Sequence, residues 1–226
     1  MSAPSPPALL ASLRARAEAL RGDELALRRS AADAMREIDR RLHAAYRWFE
    51  EILAHLDVIR PAIDRRYAVD RALTIARPRY AGGAVSLRRA RRHGCDMIEC
   101  VEVGYRMSCD APIRIVAAGG AVRMLAERLR AAQIAFDYRV EAPGARGGVL
   151  TVTPELCASV RLGHSPAGRT IVVTLANVDR LETVALEFEA EALGEAALED
   201  LVRLMLGESD AFLRRAPLAG LGGSRR

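Results

Sequence analysis

Residues 10–61 read LASLRARAEALRGDELALRRSAADAMREIDRRLHAAYRWFEEILAHLDVIRP, and the spacing of their apolar and small positions decides the fold. Leu10, Leu13, Ala17, Leu20, Leu27, Ala31, Ala34, Ile38, Leu42, Ala45, Phe49, Ile52, Leu56 and Ile59 recur at intervals that mostly alternate between three and four. Such intervals hold side chains on one side of an α-helix, so the segment reads as a single amphipathic helix with one buried stripe. Glu24 is the one interruption at a stripe position. Pro61 ends the helix, because proline lacks the N–H and clashes with the preceding turn.

At 1.5 Å per residue, about fifty helical residues extend roughly 75 Å, far beyond the diameter of a domain built from the rest of the chain. Part of the stripe therefore needs a helical partner, supplied either by folding back near Gly22-Asp23 or by another chain. The second alternative is a homo-oligomeric coiled coil through Leu10, Leu13, Leu20, Leu27, Ile38, Leu42, Phe49 and Ile52. The successive intervals of four from Ala34 to Ile38 to Leu42 form a stutter that relaxes a left-handed supercoil. Trp48, beside Phe49, is expected to pack where the helix meets the domain.

From residue 66 the apolar period shifts toward two. Strands are expected at about 73–80, 84–91, 96–107, 112–117, 134–142, 148–153, 156–163, 169–176 and 182–189, with helices at about 120–132 and 195–206 and a helical turn near 209–215. Short links join the four runs from 148 to 189, which reads as an antiparallel meander. The run 171–175 is apolar on both faces and belongs inside a sheet, whereas 183–189 is half-solvated. The chain is thus read as α+β: a long N-terminal helix over 1–62, a mostly antiparallel sheet with two packed helices over 63–218, and a basic tail over 219–226.

Composition bounds the function. Half of the 226 residues are hydrophobic and 4% are aromatic, so the core is aliphatic. All 34 basic residues are arginine, which excludes a lysine Schiff base and a lysine-bearing phosphate loop. No stretch reaches the ~20 apolar residues of a membrane span, and no signal-peptide run opens the chain, so a cytoplasmic location without membrane contact is expected. The net charge of +5 is uneven: ten arginines against Asp64 and Asp70 in 60–92, and nine acids against Arg203 in 181–210. Arg77, Arg79, Arg88, Arg89, Arg91 and Arg92 form the candidate binding surface, for an acidic protein or for nucleic acid phosphate. Only Tyr67 and Tyr80 lie near it, and no helix-turn-helix, RRM or zinc-finger pattern accompanies it.

Other constellations carry little chemistry. His93, Cys95, Cys100 and Cys109 cluster in sequence, but an extended strand sets Cys95 and Cys109 about 46 Å apart, so no metal site and no cofactor are expected. Asp96 and Glu102 share a strand face that Glu99 opposes, as on a partly solvated edge. The Gly119-Gly120 turn before the 120–132 helix is the place for a small ligand, since orphan N–H groups converge there. Neither GxGxxG nor GxxxxGK[ST] is present, and His43, His55 and His164 have no nucleophile at a recognisable spacing.

The fragments Leu181-Glu182-Thr183-Val184, Leu204-Met205-Leu206-Gly207-Glu208 and Phe212-Leu213-Arg214-Arg215, behind a helix ending Ile59-Arg60-Pro61, resemble those of uncharacterised proteins common in Proteobacteria. That resemblance implies a cytoplasmic bacterial protein and supplies no site. The functional expectation is a self-associating interaction protein with a basic face; the alternatives are a nucleic-acid binder using Arg77–Arg92 and a ligand domain or enzyme at Gly119-Gly120.

Overall fold

A computed structural model describes residues 8–71, 73–92, 94–140, 147–165 and 168–216. The tail 219–226 lies outside them. The apolar stripe forms one continuous helix, α1 (Ala8–Ile59), which does not fold back at Gly22-Asp23. Pro61 ends it as expected: Arg60 takes a positive φ of 48°, and the Pro61 carbonyl accepts the Tyr80 N–H at 2.9 Å.

Beyond α1 come a small hairpin of β1 (Arg66–Ala68) and β2 (Thr74–Ala76), then the long strands β3 (Arg79–Arg92) and β4 (Cys95–Ser108). The expected strand 73–80 is broken in two, because Arg77 adopts a φ of 48° just before Pro78. A second unit follows, with β5 (Ile113–Ala118), α2 (Gly120–Ala131), β6 (Phe136–Val140) and β7 (Gly147–Val152). The chain then returns through β8 (Glu155–His164), β9 (Thr170–Ala176), β10 (Thr183–Glu189) and α3 (Glu195–Leu206), with short 3-10 turns at Ala190–Ala192 and Phe212–Arg214.

The strands form a five-stranded antiparallel sheet, order β10-β9-β8-β4-β3, and a three-stranded one, order β5-β7-β6. The architecture is α+β. The meander expected over 148–189 is corrected here: only β8, β9 and β10 form it, while β7 pairs with β5 and β6. The switch occurs at Thr153-Pro154, where Pro154 has no N–H to continue the ladder and its carbonyl accepts Cys109 N–H at 3.1 Å. As expected, β9 lies inside the sheet; β10 forms its edge.

One face of the larger sheet carries the core. Val101, Val103, Tyr105 and Met107 of β4 lie in register with Leu162, Val160, Ala158 and Leu156 of β8, and β9 adds Ile171, Val173 and Leu175. All are buried. The second half of α1 and one side of α3 fill this face, through Ile38, Leu42, Ala45, Phe49, Leu53 and Leu56 and through Leu198, Leu201, Leu204 and Met205. The boundary at residue 62 therefore does not separate two cores. Asp39 of α1 fixes the docking, its Oδ1 accepting the Ile98 N–H of β4 at 2.7 Å.

Tyr67 sits in the same core, fully buried, its hydroxyl donating to the Val178 carbonyl at 2.9 Å. Burial pushes its pKa up to about 12. Folding therefore favours the protonated phenol. Its contribution is complete below the ordinary tyrosine pKa of about 10 and is lost as pH rises toward 12. Urea unfolding at pH 9 and pH 11 should show a drop in stability that is smaller in a Tyr67→Phe variant. An equal drop in both would remove Tyr67 as a contributor.

Candidate self-association surface

The helical stripe divides into two parts with opposite environments. From Ile38 onward it faces the chain's own sheet, and Ile38, Leu42 and Phe49 have no exposed surface. Ile52 is half-buried against the same core. These four residues, read from the sequence as part of an oligomer interface, are occupied within one chain. Trp48 packs edge-to-face on Phe49 with ring centroids 5.3 Å apart, at the helix–sheet junction as expected.

Before residue 31 the described side chains of the helix are exposed, apart from half-buried Ala17. Leu13, Leu20 and Leu27 are 54%, 63% and 61% exposed. The side chain of Leu10 lies outside those described. Ala31 and Ala34 mark the transition and are half-buried. Around the leucines the surface is charged and locally paired. Glu24 takes a bond from Arg28 at 2.6 Å, Asp33 pairs with Arg36, and Glu37 holds both Arg40 and Arg41. Hydrogen bonds from Arg41 first, then Arg40, lower the Glu37 pKa. Pairs three or four residues apart on a solvated helix side contribute little to stability, so they solubilise the helix sides rather than fix its partner.

The basic stretch is less free than its sequence suggests. Arg77 lies 3.3 Å from Asp64, Arg79 3.9 Å from Asp110, Arg88 4.0 Å from Glu99 and Arg89 3.7 Å from Asp96. Arg91 is exposed, and the side chain of Arg92 is not among those described. An anion arriving at these arginines has to compete with carboxylates already in place. Among the described residues one ion pair joins the basic and acidic blocks of the sequence, Arg65 to Asp210 at 2.5 Å. Other acids of the acidic block meet arginines close by: Asp200 pairs with Arg203 and Arg215, Glu199 with Arg203, and Glu182 with Arg180.

The far face of the larger sheet is open. Arg106, Cys157 and Arg161 are exposed on it, and Glu102 stands opposite Arg161 in register. A β-bulge opposite Arg88 and Arg89 leaves Glu99 unpaired in β4 and breaks the alternation expected of Asp96, Glu99 and Glu102. Glu99 instead lines a recess of about 220 Å³ with Arg161, Gly163, His164, Val172 and Thr174. His164 Nε2 is 3.0 Å from the Ile98 carbonyl oxygen. At that volume the recess is below the ~300–1,000 Å³ of ordinary small-molecule sites.

The remaining sequence candidates do not assemble. Gly119 turns the chain into α2 with a φ of 59°, yet both Gly119 and Gly120 are exposed, and among the described residues no atom beyond the adjoining chain lies within 4 Å of where a Cβ would stand on either. Cys95 and Cys157 are exposed, Cys100 is buried and Cys109 lies between; His93 is outside the described residues. Among the described residues no three His, Cys, Asp or Glu side chains are placed to hold a metal ion. Nor is any helix among them long and apolar enough to cross a membrane. Comparison of the chain with protein-family models, with curated proteins and with solved structures gives no match.

Proposed function

We propose that this chain is a self-associating interaction protein, in which the exposed half of α1 pairs with the same segment of a second copy and thereby presents two sheet domains on one scaffold. One observation carries this reading: Leu13, Leu20 and Leu27 continue, on a single helix, the stripe that Ile38, Leu42 and Phe49 bury against the sheet. Burying each leucine stabilises by roughly 1.5–3 kcal/mol, and contiguous exposed apolar surface on a soluble chain marks an interaction site. A protruding helix is also marginal in water without a partner for its apolar side.

Light scattering on the full-length chain and on a Leu20→Glu/Leu27→Glu double variant tests the proposal. The substituted side chains are 63% and 61% exposed and lie outside the buried core, so the sheet domain should keep its fold. The unsubstituted chain should be a dimer at micromolar concentration, and the variant a monomer with reduced helical circular dichroism. A monomeric parent, or a variant that remains dimeric, overturns the reading.

A further inference from the structure

We infer that the two copies pair antiparallel, in a register that sets Gly22 of both chains level with the twofold axis; this rests on the self-association proposed above. The first argument is steric. On a helix of 3.6 residues per turn, Leu13, Ala17, Leu20 and Leu27 fall within the same arc of about 100° as Ile38, Leu42, Phe49 and Leu56. The chain's own sheet already occupies that side from Ile38 onward. In a parallel pair both sheets would stand at the same end and on the inner side of both helices, and would claim the same space. In an antiparallel pair the sheets stand at opposite ends.

Length agrees with this. With Gly22 at the axis, the first residue of α1, Ala8, lies level with Arg36 of the partner, just before the partner's sheet contact begins at Ile38. The free half of the helix is thus its own complement in length.

Side-chain size and charge agree as well. In this register Leu13 faces the partner's Ala31, Leu27 faces the partner's Ala17, and Leu20 faces the partner's Glu24. In the Leu13–Ala31 and Leu27–Ala17 pairs a large residue meets a small one, which lets the helices approach closely. A parallel pair would stack Leu on Leu, Ala on Ala, and Glu24 on Glu24 of the partner inside the seam. The antiparallel register instead sets each Glu24 beside the partner's Arg21, with Arg28 of its own helix 2.6 Å away. Arg21 of each chain lies level with Asp23 of the other, and the two Arg21 side chains, about 3 Å apart along the axis at 1.5 Å per residue, have their repulsion offset by the two Glu24 carboxylates.

Cysteine cross-linking tests the polarity. The variants Ala17→Cys and Leu27→Cys are made separately, one carrying a size tag, then co-expressed and oxidised. The unsubstituted chain, with its exposed Cys95 and Cys157, sets the baseline. The antiparallel register places residue 17 of one chain level with residue 27 of the other. Two copies of residue 17 are then about 15 Å apart along the axis at 1.5 Å per residue, beyond the roughly 4.4–6.8 Å Cα separation a disulfide tolerates. The expected result is a cross-linked band of mixed size, with neither variant linking to itself. Self-linking of each variant alone means a parallel pair, and absence of any band from a chain whose mass is that of a dimer means a different register. Either overturns the inference while leaving self-association intact. Absence of any band together with a monomeric parent removes the self-association on which it rests.

Discussion

Replacing Phe49 with alanine is expected to cost the domain about 3–5 kcal/mol, the usual range for emptying a large aromatic site in a packed core. Phe49 is fully buried between α1 and the sheet and packs on Trp48. It lies in the stretch from Ala45 to Leu53 that packs on the sheet, in the same half of the helix where the Asp39 carboxylate accepts the Ile98 N–H at 2.7 Å. Against a total stability of ~5–15 kcal/mol for an ordinary domain, the loss is a large fraction. A urea midpoint measured by circular dichroism reads it directly. A cost below about 1 kcal/mol, typical of exposed sites, would mean that the second half of α1 does not belong to the core. Because both halves of the helix share one periodicity, this measurement locates where the domain begins.

Gly207→Val is the second large effect. Gly207 caps α3 with a φ of 76°, and Glu208 N–H returns to the Arg203 carbonyl at 2.8 Å, closing the helix end. The segment after Pro61 packs directly on this cap: Asp64 N–H donates to the Leu206 carbonyl at 3.0 Å. A Cβ on residue 207 would stand 2.8 Å from the Asp64 carbonyl carbon and oxygen and 2.7 Å from Arg65 Cγ. The left-handed conformation alone costs a non-glycine residue roughly 1–2 kcal/mol, and a β-branched side chain against backbone atoms raises the total to about 4 kcal/mol or more. A thermal midpoint within a degree or two of the parent would show that the α3 cap and the Pro61 segment are not in contact.

The elements themselves were legible in the sequence. The three-and-four spacing over 10–59 is one helix, and the alternation from 156 to 189 is three neighbouring strands. What periodicity cannot convey is which surface an element meets. Leu13 and Leu42 lie on the same three-and-four stripe, yet one is exposed and the other buried, because the sheet covers only part of a 52-residue helix. The sheet to which β7 belongs was hidden for a similar reason. Its alternation is equally compatible with either sheet, and Pro154 is the one mark of the switch in the local sequence. The face of Glu99 was misread because a bulge changes parity without leaving a mark in the local sequence. The pairing of the basic stretch could have been seen. Arg88 and Arg89 stand before Gly94 and Asp96 and Glu99 after it, so a hairpin through that glycine sets arginines against carboxylates. Asp39, by contrast, reaches an amide 59 residues away, and nothing in the sequence points to it.

Division of α1 into a half that builds the domain and a half that joins two domains is tested most directly by sedimentation equilibrium on the unsubstituted full-length chain across the micromolar range. Pairing through the exposed leucines requires a mass that rises to twice the 24.6 kDa of one chain and stops there. A mass of one chain at every concentration would contradict it.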